Sequence, residues 1–322
     1  MEKVIYKVNE GDDQKRLDLF VLEKLPIKVS RNMIQELIKR GAVTVNGGIK
    51  KSHYLVKKGD EIVICLDNLE ISDHMNEEDS ISPENIPLDI LYEDEDIIVI
   101  NKPAGLLVHP TNKIRSGTLV NALMYHIKDF DKIGDDPNRL GIVHRLDKDT
   151  SGVLVVGKNS YSKSFLSEQF KERKTKKIYL TIVRGLLKEK EGEITLPLGR
   201  HPTSRQKRAV VFNGREAVTF YKVLKEFNSL ASLVWVQIET GRTHQIRVHF
   251  KYIGNPVVGD TLYGKNKFEK SVKIPIERQM LHALKLGIYH PRNGKWMEFL
   301  APLPEDFKKV LMNFSNDLGD SN

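Results

Sequence analysis

The sequence predicts an α+β protein built in two units, and three observations predict it. Two amphipathic helical stretches fall within the first 41 residues. Beyond residue 89, short apolar β-branched runs follow one another with hairpin-like links and few helices, which favours α+β over a doubly wound sheet. Between the two lies an acidic, proline-bearing stretch. Residues 67–89 hold eight acids, Pro83 and Pro87, and no lysine or arginine. That composition reads as an exposed linker. The expected layout is a small unit at 1–66, a linker at 67–87 and a larger unit at 88–322.

In the first unit, Leu17, Phe20, Val21 and Leu25 share one helical face within Arg16–Leu25. Ser30 reads as the N-cap of a second helix. Met33, Ile34, Leu37 and Ile38 form its apolar stripe, and Gly41 fits its stop. Ala42–Val45 is a short strand and Asn46-Gly47 a tight turn. Lys57-Lys58-Gly59-Asp60 is a second turn before a strand at Glu61–Leu66. Around the second helix and the following turn stand Arg31, Lys39, Arg40, Lys50 and Lys51. A solvated helix face with lysines complementing the helix dipole accounts for them on charge alone.

In the larger unit Ile97–Ile100 is a strand, with a turn at Lys102-Pro103-Ala104-Gly105. Lys102 is read as turn chemistry or an RNA contact. Ser160–Arg173 is a helix; Ile178–Val183, Val218–Val223 and Leu233–Ile238 are strands. HPTSRQKRAVVF, with Arg205, Lys207 and Arg208, reads as an exposed basic hairpin.

Composition narrows the function classes. The chain has 322 residues, 40 % hydrophobic and 29 % charged, as in globular domains. No apolar run approaches the roughly 18–20 residues of a membrane span, and the N-terminus lacks a signal-like apolar core. The single cysteine, Cys65, cannot pair within the chain. A cytoplasmic protein without membrane association is expected. Net charge is +8; outside the acidic stretch the chain carries +16, of which +12 follows residue 89. Such a balance suggests a polyanionic partner.

The densest cluster of reactive side chains is HRLDKDTSG, residues 144–152. It lies between two strand-like runs, Leu140–Val143 and Val153–Val156. Asp147 thus falls on a loop or strand end, where catalytic groups are often held. A buried Asp147 needs a nearby cation, and a structural ion pair is the competing reading. His144, His244 and His249 do not make a zinc motif, because HExxH and a cysteine pair are both missing. Ser151 is not in a GxSxG elbow. No metal site and no cofactor are expected.

HRLDKDTSG resembles the signature of the RluA-type pseudouridine synthases. Further segments match that family in order: IIVINKPAGLLVHP at 97–110, KKIY at 176–179, TGRTHQIRVH at 240–249 and NPVVGDTLYG at 255–264. The match spans about 88–304. RLDLFV, SRNMIQELIKRGAVTVNG and KKGDEI, within about 14–66, resemble the small S-four-type RNA-binding domain often joined to these enzymes.

The resemblance implies a mixed, largely antiparallel sheet crossed by a catalytic cleft, and an isomerase that converts uridine to pseudouridine in RNA. It assigns Asp147 as the catalytic aspartate, Arg247 as its partner and Tyr179, 32 residues beyond Asp147, as the residue that stacks on uracil and acts near C5. Arg247 as a phosphate ligand and Tyr179 as plain core are the alternatives. Arg145 corresponds to the residue that fills the space left by the extruded nucleotide. His144, Arg242, His244, Arg205, Lys207 and Arg208 are expected RNA contacts, as are Arg31, Lys39, Arg40, Lys50 and Lys51. Within the family the strongest likeness is to the RluD-like large-subunit ribosomal RNA subfamily. The expected partner is therefore large-subunit rRNA or a pre-ribosomal particle, engaged by a monomer. A transfer RNA synthase and a non-catalytic ribosome-assembly factor remain as alternatives. A nucleoside hydrolase would call for a small-substrate pocket instead of a +16 surface.

Overall fold

The computed structural model describes residues 3–25, 31–65, 81–111, 114–133, 140–204, 206–264 and 274–316. The chain divides into two compact units, Met1–Ser80 and Ile81–Asn322.

In the first unit α1 (Leu17–Lys24) and α2 (Arg31–Lys39) pack on an antiparallel three-stranded sheet. Its strands are β1 (Lys3–Lys7), β2 (Val43–Val45) and β3 (Glu61–Cys65), in the order β1-β3-β2. The predicted helical face is the buried one: Leu17, Phe20, Val21, Ile34, Leu37 and Ile38 meet Val43, Ile62 and Ile64. Each such side chain contributes about 1.5–3 kcal/mol on burial. Gly41 ends α2 at φ +79°, and Ala42 N–H donates back to the Leu37 carbonyl. Asn46 and Gly47 both take positive φ, as a two-residue hairpin turn requires. Asp18, fully buried, is clamped by Arg16 Nε and Nη2, each at 3.0 Å. Ser30, Leu66 and the 67–80 part of the acidic stretch lie outside the described residues.

The second unit is organised by a nine-stranded sheet. Its strands are β4 (Ile90–Glu93), β5 (Ile97–Lys102), β6 (Ser151–Gly157), β7 (Lys176–Arg184), β8 (Glu191–Thr195), β11 (Val218–Phe227), β12 (Ala231–Ile238), β13 (Leu281–Tyr289) and β14 (Trp296–Leu300). The order is β4-β5-β6-β13-β7-β12-β11-β8, with β14 on β13. β6 runs parallel to β13 and the other pairs are antiparallel, so the sheet is mixed and largely antiparallel. A separate ribbon joins β9 (Leu198–Arg200) to β10 (Arg208–Val210). The hairpin expected in this basic stretch is present as this ribbon, with Arg205 outside the described residues.

Helices α3 (Leu119–His126), α4 (Ser160–Lys171), α5 (Gln245–Tyr252) and α6 (Glu305–Asn316) complete the unit. Only α4 was legible from periodicity. α3 is short but has a capping box, with Thr118 and Asn121 satisfying each other's backbone N–H groups. α6 buries Phe307, Val310 and Phe314 against Leu180, Ile182, Phe227 and Val258. The β5 strand runs two residues beyond the predicted end. Lys102 is consequently not an exposed turn residue but fully buried.

Gly152 shows why the reactive loop ends in Ser-Gly. Its φ is +117°, and a Cβ there would lie 2.2 Å from the Ala283 carbonyl oxygen. Only glycine lets β6 approach β13 this closely.

Candidate active site

A cleft in the second unit is lined by Arg145, Asp147, Tyr179, Arg242, His244 and Arg247, together with Leu146, Thr150, Ile238, Gly241, Thr243, Gln245, Ile246 and Leu281. Four segments far apart in sequence supply them: the 145–150 loop before β6, β7, the end of β12 with the following loop and α5, and the start of β13.

The loop carrying Asp147 is held through its backbone. Buried Lys102 Nζ donates to the carbonyls of Pro103 (2.7 Å), Leu106 (2.9 Å) and Lys148 (2.9 Å). Gly105 N–H also donates to Lys148, and Thr150 N–H to Asp147. Arg278 Nη1 donates to the Asp149 carbonyl at 3.1 Å while its guanidinium is paired with Asp306. Three carbonyls match the three N–H donors of an ammonium. Burial nonetheless pushes the Lys102 amine down to about 7, opposed by the Asp149 carboxylate. Just after the loop, buried Ser151 Oγ bonds His282 Nδ1 at 2.9 Å.

Asp147 itself is 18 % exposed, open to the cleft on one side and paired on the other. Arg247 Nη1 donates to its Oδ2 at 2.8 Å. The rest of that guanidinium is committed: Nε and Nη2 bond the two oxygens of Asp260 at 2.7 and 3.0 Å. Asp260, fully buried, also accepts the N–H groups of Leu262 and Tyr263. The fork is therefore anchored on Asp260, and its remaining arm is aimed at Asp147. Burial opposes the Arg247 charge, but hydrogen bonds and charge from Asp260 and Asp147 outweigh it and raise its pKa.

His244 faces the other oxygen of Asp147, with Nε2 3.8 Å from Oδ1. Its tautomer follows from its neighbours. Arg208 N–H donates to the Tyr263 hydroxyl oxygen at 2.7 Å, which leaves the hydroxyl hydrogen for His244 Nδ1 at 2.8 Å. Nε2 then carries the proton and points toward Asp147. Burial lowers the His244 pKa against the pull of Asp147, and burial raises that of Tyr263. His244 takes positive φ, 59°, at the N-cap of α5. The strain is held by Gln245, whose side chain accepts from Thr240 Oγ1 and Arg242 N–H and donates to Val218 O and Thr219 Oγ1.

Tyr179 on β7 lines the same cleft. Burial, then the Asp147 carboxylate, pushes its phenol well above the ordinary value, so the hydroxyl rests protonated. Arg145 is exposed at the rim, with Nη1 3.1 Å from His109 Nε2. Arg242 is half-buried and donates Nε to the Glu216 carbonyl at 2.9 Å.

His144 is a correction. It was expected to touch RNA, but its Nε2 accepts the Val155 N–H at 3.0 Å and its ring stacks on Phe170 at 4.5 Å. Burial, aided by Lys177, pushes it down to about 3. A neutral imidazole with this lone pair spent on the backbone packs the sheet. Lys102 is corrected likewise, from turn or RNA contact to internal buttress. Lys207, just before the ribbon strand β10, and Arg208, its first residue, are half-buried and not exposed as expected. Arg205 and the Arg31 side chain lie outside the described residues. In the first unit Lys39, Arg40, Lys50 and Lys51 are all exposed. Lys39 stands 3.5 Å from Glu36, and the Lys50 ammonium lies over the Tyr54 ring.

Asp260 and Tyr263 were missed as functional residues although NPVVGDTLYG contains both. A glycine followed by an acid in a turn-like stretch gives no hint of a buried partner. Among the described residues, Asp94, Asp96 and His290 also form a cluster with metal-like spacing. Its donors are already engaged: His290 Nε2 with Asp94, and Asp96 with Arg292, Asn159 and Ser162.

Comparison with known proteins matches residues 96–252 to the RNA pseudouridylate synthase family and residues 15–62 to the S4 domain. An uncharacterized RNA pseudouridine synthase of Aquifex aeolicus is 46 % identical over 318 residues, covering 96 % of both chains. The ribosomal large subunit pseudouridine synthase D of Pseudomonas aeruginosa is 40 % identical, covering 94 % of this chain and 92 % of its own. The solved structure of human RNA pseudouridylate synthase domain containing 1 aligns with a TM-score of 0.57 at 27 % identity, over 74 % of this chain and 97 % of that one.

Proposed function

The chain belongs to the RNA pseudouridine synthase family, and from that premise we propose that it isomerises uridines of large-subunit ribosomal RNA, with Asp147, Arg247 and Tyr179 as the reacting set. The observation that carries the site assignment is the Asp147 carboxylate, open to the cleft and paired to Arg247 at 2.8 Å, with Tyr179 on the same wall.

In the isomerisation the C1′–N1 bond breaks, the uracil turns, and a C1′–C5 bond forms. C5 loses a proton and N1 gains one, so no electron carrier enters the balance. The Asp147 carboxylate attacks C1′ or removes a ribose proton; both routes use the same oxygen facing the cleft. Arg247 orients that carboxylate and neutralises part of its charge. Tyr179 brings an aromatic face for the uracil and a protonated hydroxyl for proton handling at C5. Arg145 at the rim occupies the gap left by the flipped nucleotide.

Three features support a ribosomal substrate: the small RNA-binding unit, the +12 balance beyond residue 89, and the likeness to proteins named for the ribosomal large subunit. Residues 1–66 anchor the RNA through phosphate contacts, and 67–87 tether them to the synthase unit. On this proposal the enzyme works as a monomer.

Two measurements test this. Asp147→Ala should abolish pseudouridine formation on a uridine-containing RNA while the protein stays folded; substantial turnover would refute the assignment. Mapping pseudouridine across total RNA with and without the gene should show losses in large-subunit rRNA. Losses confined to transfer RNA would overturn the substrate proposed here.

A further inference from the structure

Phe212 is 98 % exposed, far beyond the next large apolar side chain among the described residues, Ile49 at 64 %. It does not sit on a floppy tip. Gly214 N–H closes a turn onto the Val211 carbonyl at 2.9 Å, and Val211 N–H donates to Pro197. Arg215 and Leu198 exchange both backbone hydrogen bonds at 2.8 Å. The ring is thus displayed to solvent by a turn whose two ends are held by backbone hydrogen bonds.

A second observation lies beside it. Arg173, Arg215 and Arg242 converge on residues 215–216. Arg173 takes both Glu216 carboxylate oxygens, at 3.2 and 2.8 Å, while Arg242 Nε holds the Glu216 carbonyl. The Glu216 carboxylate is thereby bonded to Arg173. Burial, then Arg215 and Arg173, lowers the Arg242 pKa against the pull of Glu216, as expected where like charges crowd. Arg242 also lines the cleft that contains Asp147. Phe212 is thus joined through Arg215 and Glu216 to Arg242, so an exposed aromatic and two arginines extend from the turn toward the reactive cleft.

We infer that the 211–215 turn and Arg242 form a subsite for one unpaired nucleotide flanking the target uridine, with its base stacked on Phe212 and its phosphate held between Arg215 and Arg242. The inference rests on the reading of the cleft as an RNA uridine site and specifies what lies beside it. Aromatic faces take any base, and arginine forks fit phosphate oxygens. Such a subsite selects single-stranded over paired RNA, since a base within a duplex has no free face.

The test uses the full-length chain and a labelled single-stranded oligouridylate, with an RNA duplex of equal length as control. Phe212→Ala should weaken oligouridylate binding by about tenfold, the scale of one lost stacking contact. Phe212→Trp should retain affinity, and the introduced indole should be quenched when RNA is added. Arg215→Ala should make the plot of log affinity against log salt shallower by about 0.7, one single-strand phosphate contact. Parental affinity in Phe212→Ala, or an indole blind to RNA, would overturn the subsite. An equal loss on the duplex would also overturn it, because stacking would not be the cause. Failure of the underlying synthase reading looks different: the parent itself would form no pseudouridine.

Discussion

Replacing Arg247 by methionine separates what this residue does for the fold from what it does for Asp147. Methionine keeps the apolar stem and removes three hydrogen bonds, two to Asp260 and one to Asp147. Asp260 is fully buried and, among the described residues, keeps the N–H groups of Leu262 and Tyr263. Stranding a buried charge by deleting its partner costs about 3–5 kcal/mol. At about 2–4 °C per kcal/mol for a unit of this size, the melting temperature should fall by roughly 6–20 °C. The loss at Asp147 is a separate quantity. One charge-assisted hydrogen bond is worth about 1.5–3 kcal/mol. If that bond holds the carboxylate in its reactive orientation, the single-turnover rate should drop about 10- to 150-fold. Adding Asp260→Asn to the variant removes the stranded charge while keeping an oxygen for the two backbone donors. Thermal denaturation of the double variant should recover much of the stability. Single-turnover pseudouridine formation at saturating RNA should not recover. A single variant with a parental rate, or a double variant that regains rate together with stability, would refute the division of labour argued here.

Tyr179→Phe should lower turnover by about 100-fold or more with RNA affinity unchanged, the scale of lost acid–base participation; parental turnover would reduce Tyr179 to a stacking ring. Tyr263→Phe removes the donor that holds His244 Nδ1 in its neutral tautomer. The His244 pKa should therefore rise in an NMR titration of its ring, whereas a purely structural hydroxyl would shift only the melting temperature. Lys102 has a folded pKa of about 7, below its unfolded value of 10.5. Between these values the unfolded state binds more protons, so this residue makes stability rise with pH from about 7 to about 10.5. Denaturant titrations should show a shallower rise over that window in Lys102→Met; identical slopes would remove Lys102 as its source.

How much of this was legible follows from range. Leu17, Phe20, Ile34 and Leu37 announced their helices because an amphipathic stripe is a local pattern. Asn46-Gly47 announced its turn because positive φ is a property of the residue itself. The α+β class, the strands β5, β7, β11 and β12, and the candidate Asp147–Arg247 pair were readable from patterning and family likeness. What the residues alone could not show was which groups meet across 100 positions or more. Asp147 and Arg247 are 100 residues apart, and Arg278 reaches back 129 residues to brace the reactive loop. The burial of Lys102, the anchoring of Arg247 on Asp260 and the proton carried on His244 Nε2 are set by packing, since each depends on partners that only the closed sheet brings together. His144 went wrong for the same reason: its sequence neighbours are reactive, but its spatial neighbours are Phe170 and the Val155 backbone. The residue types and their order along the chain determined the class of chemistry. The tertiary structure decided the charge, tautomer and orientation of each group, because these depend on desolvation and through-space contacts that one-dimensional order does not encode.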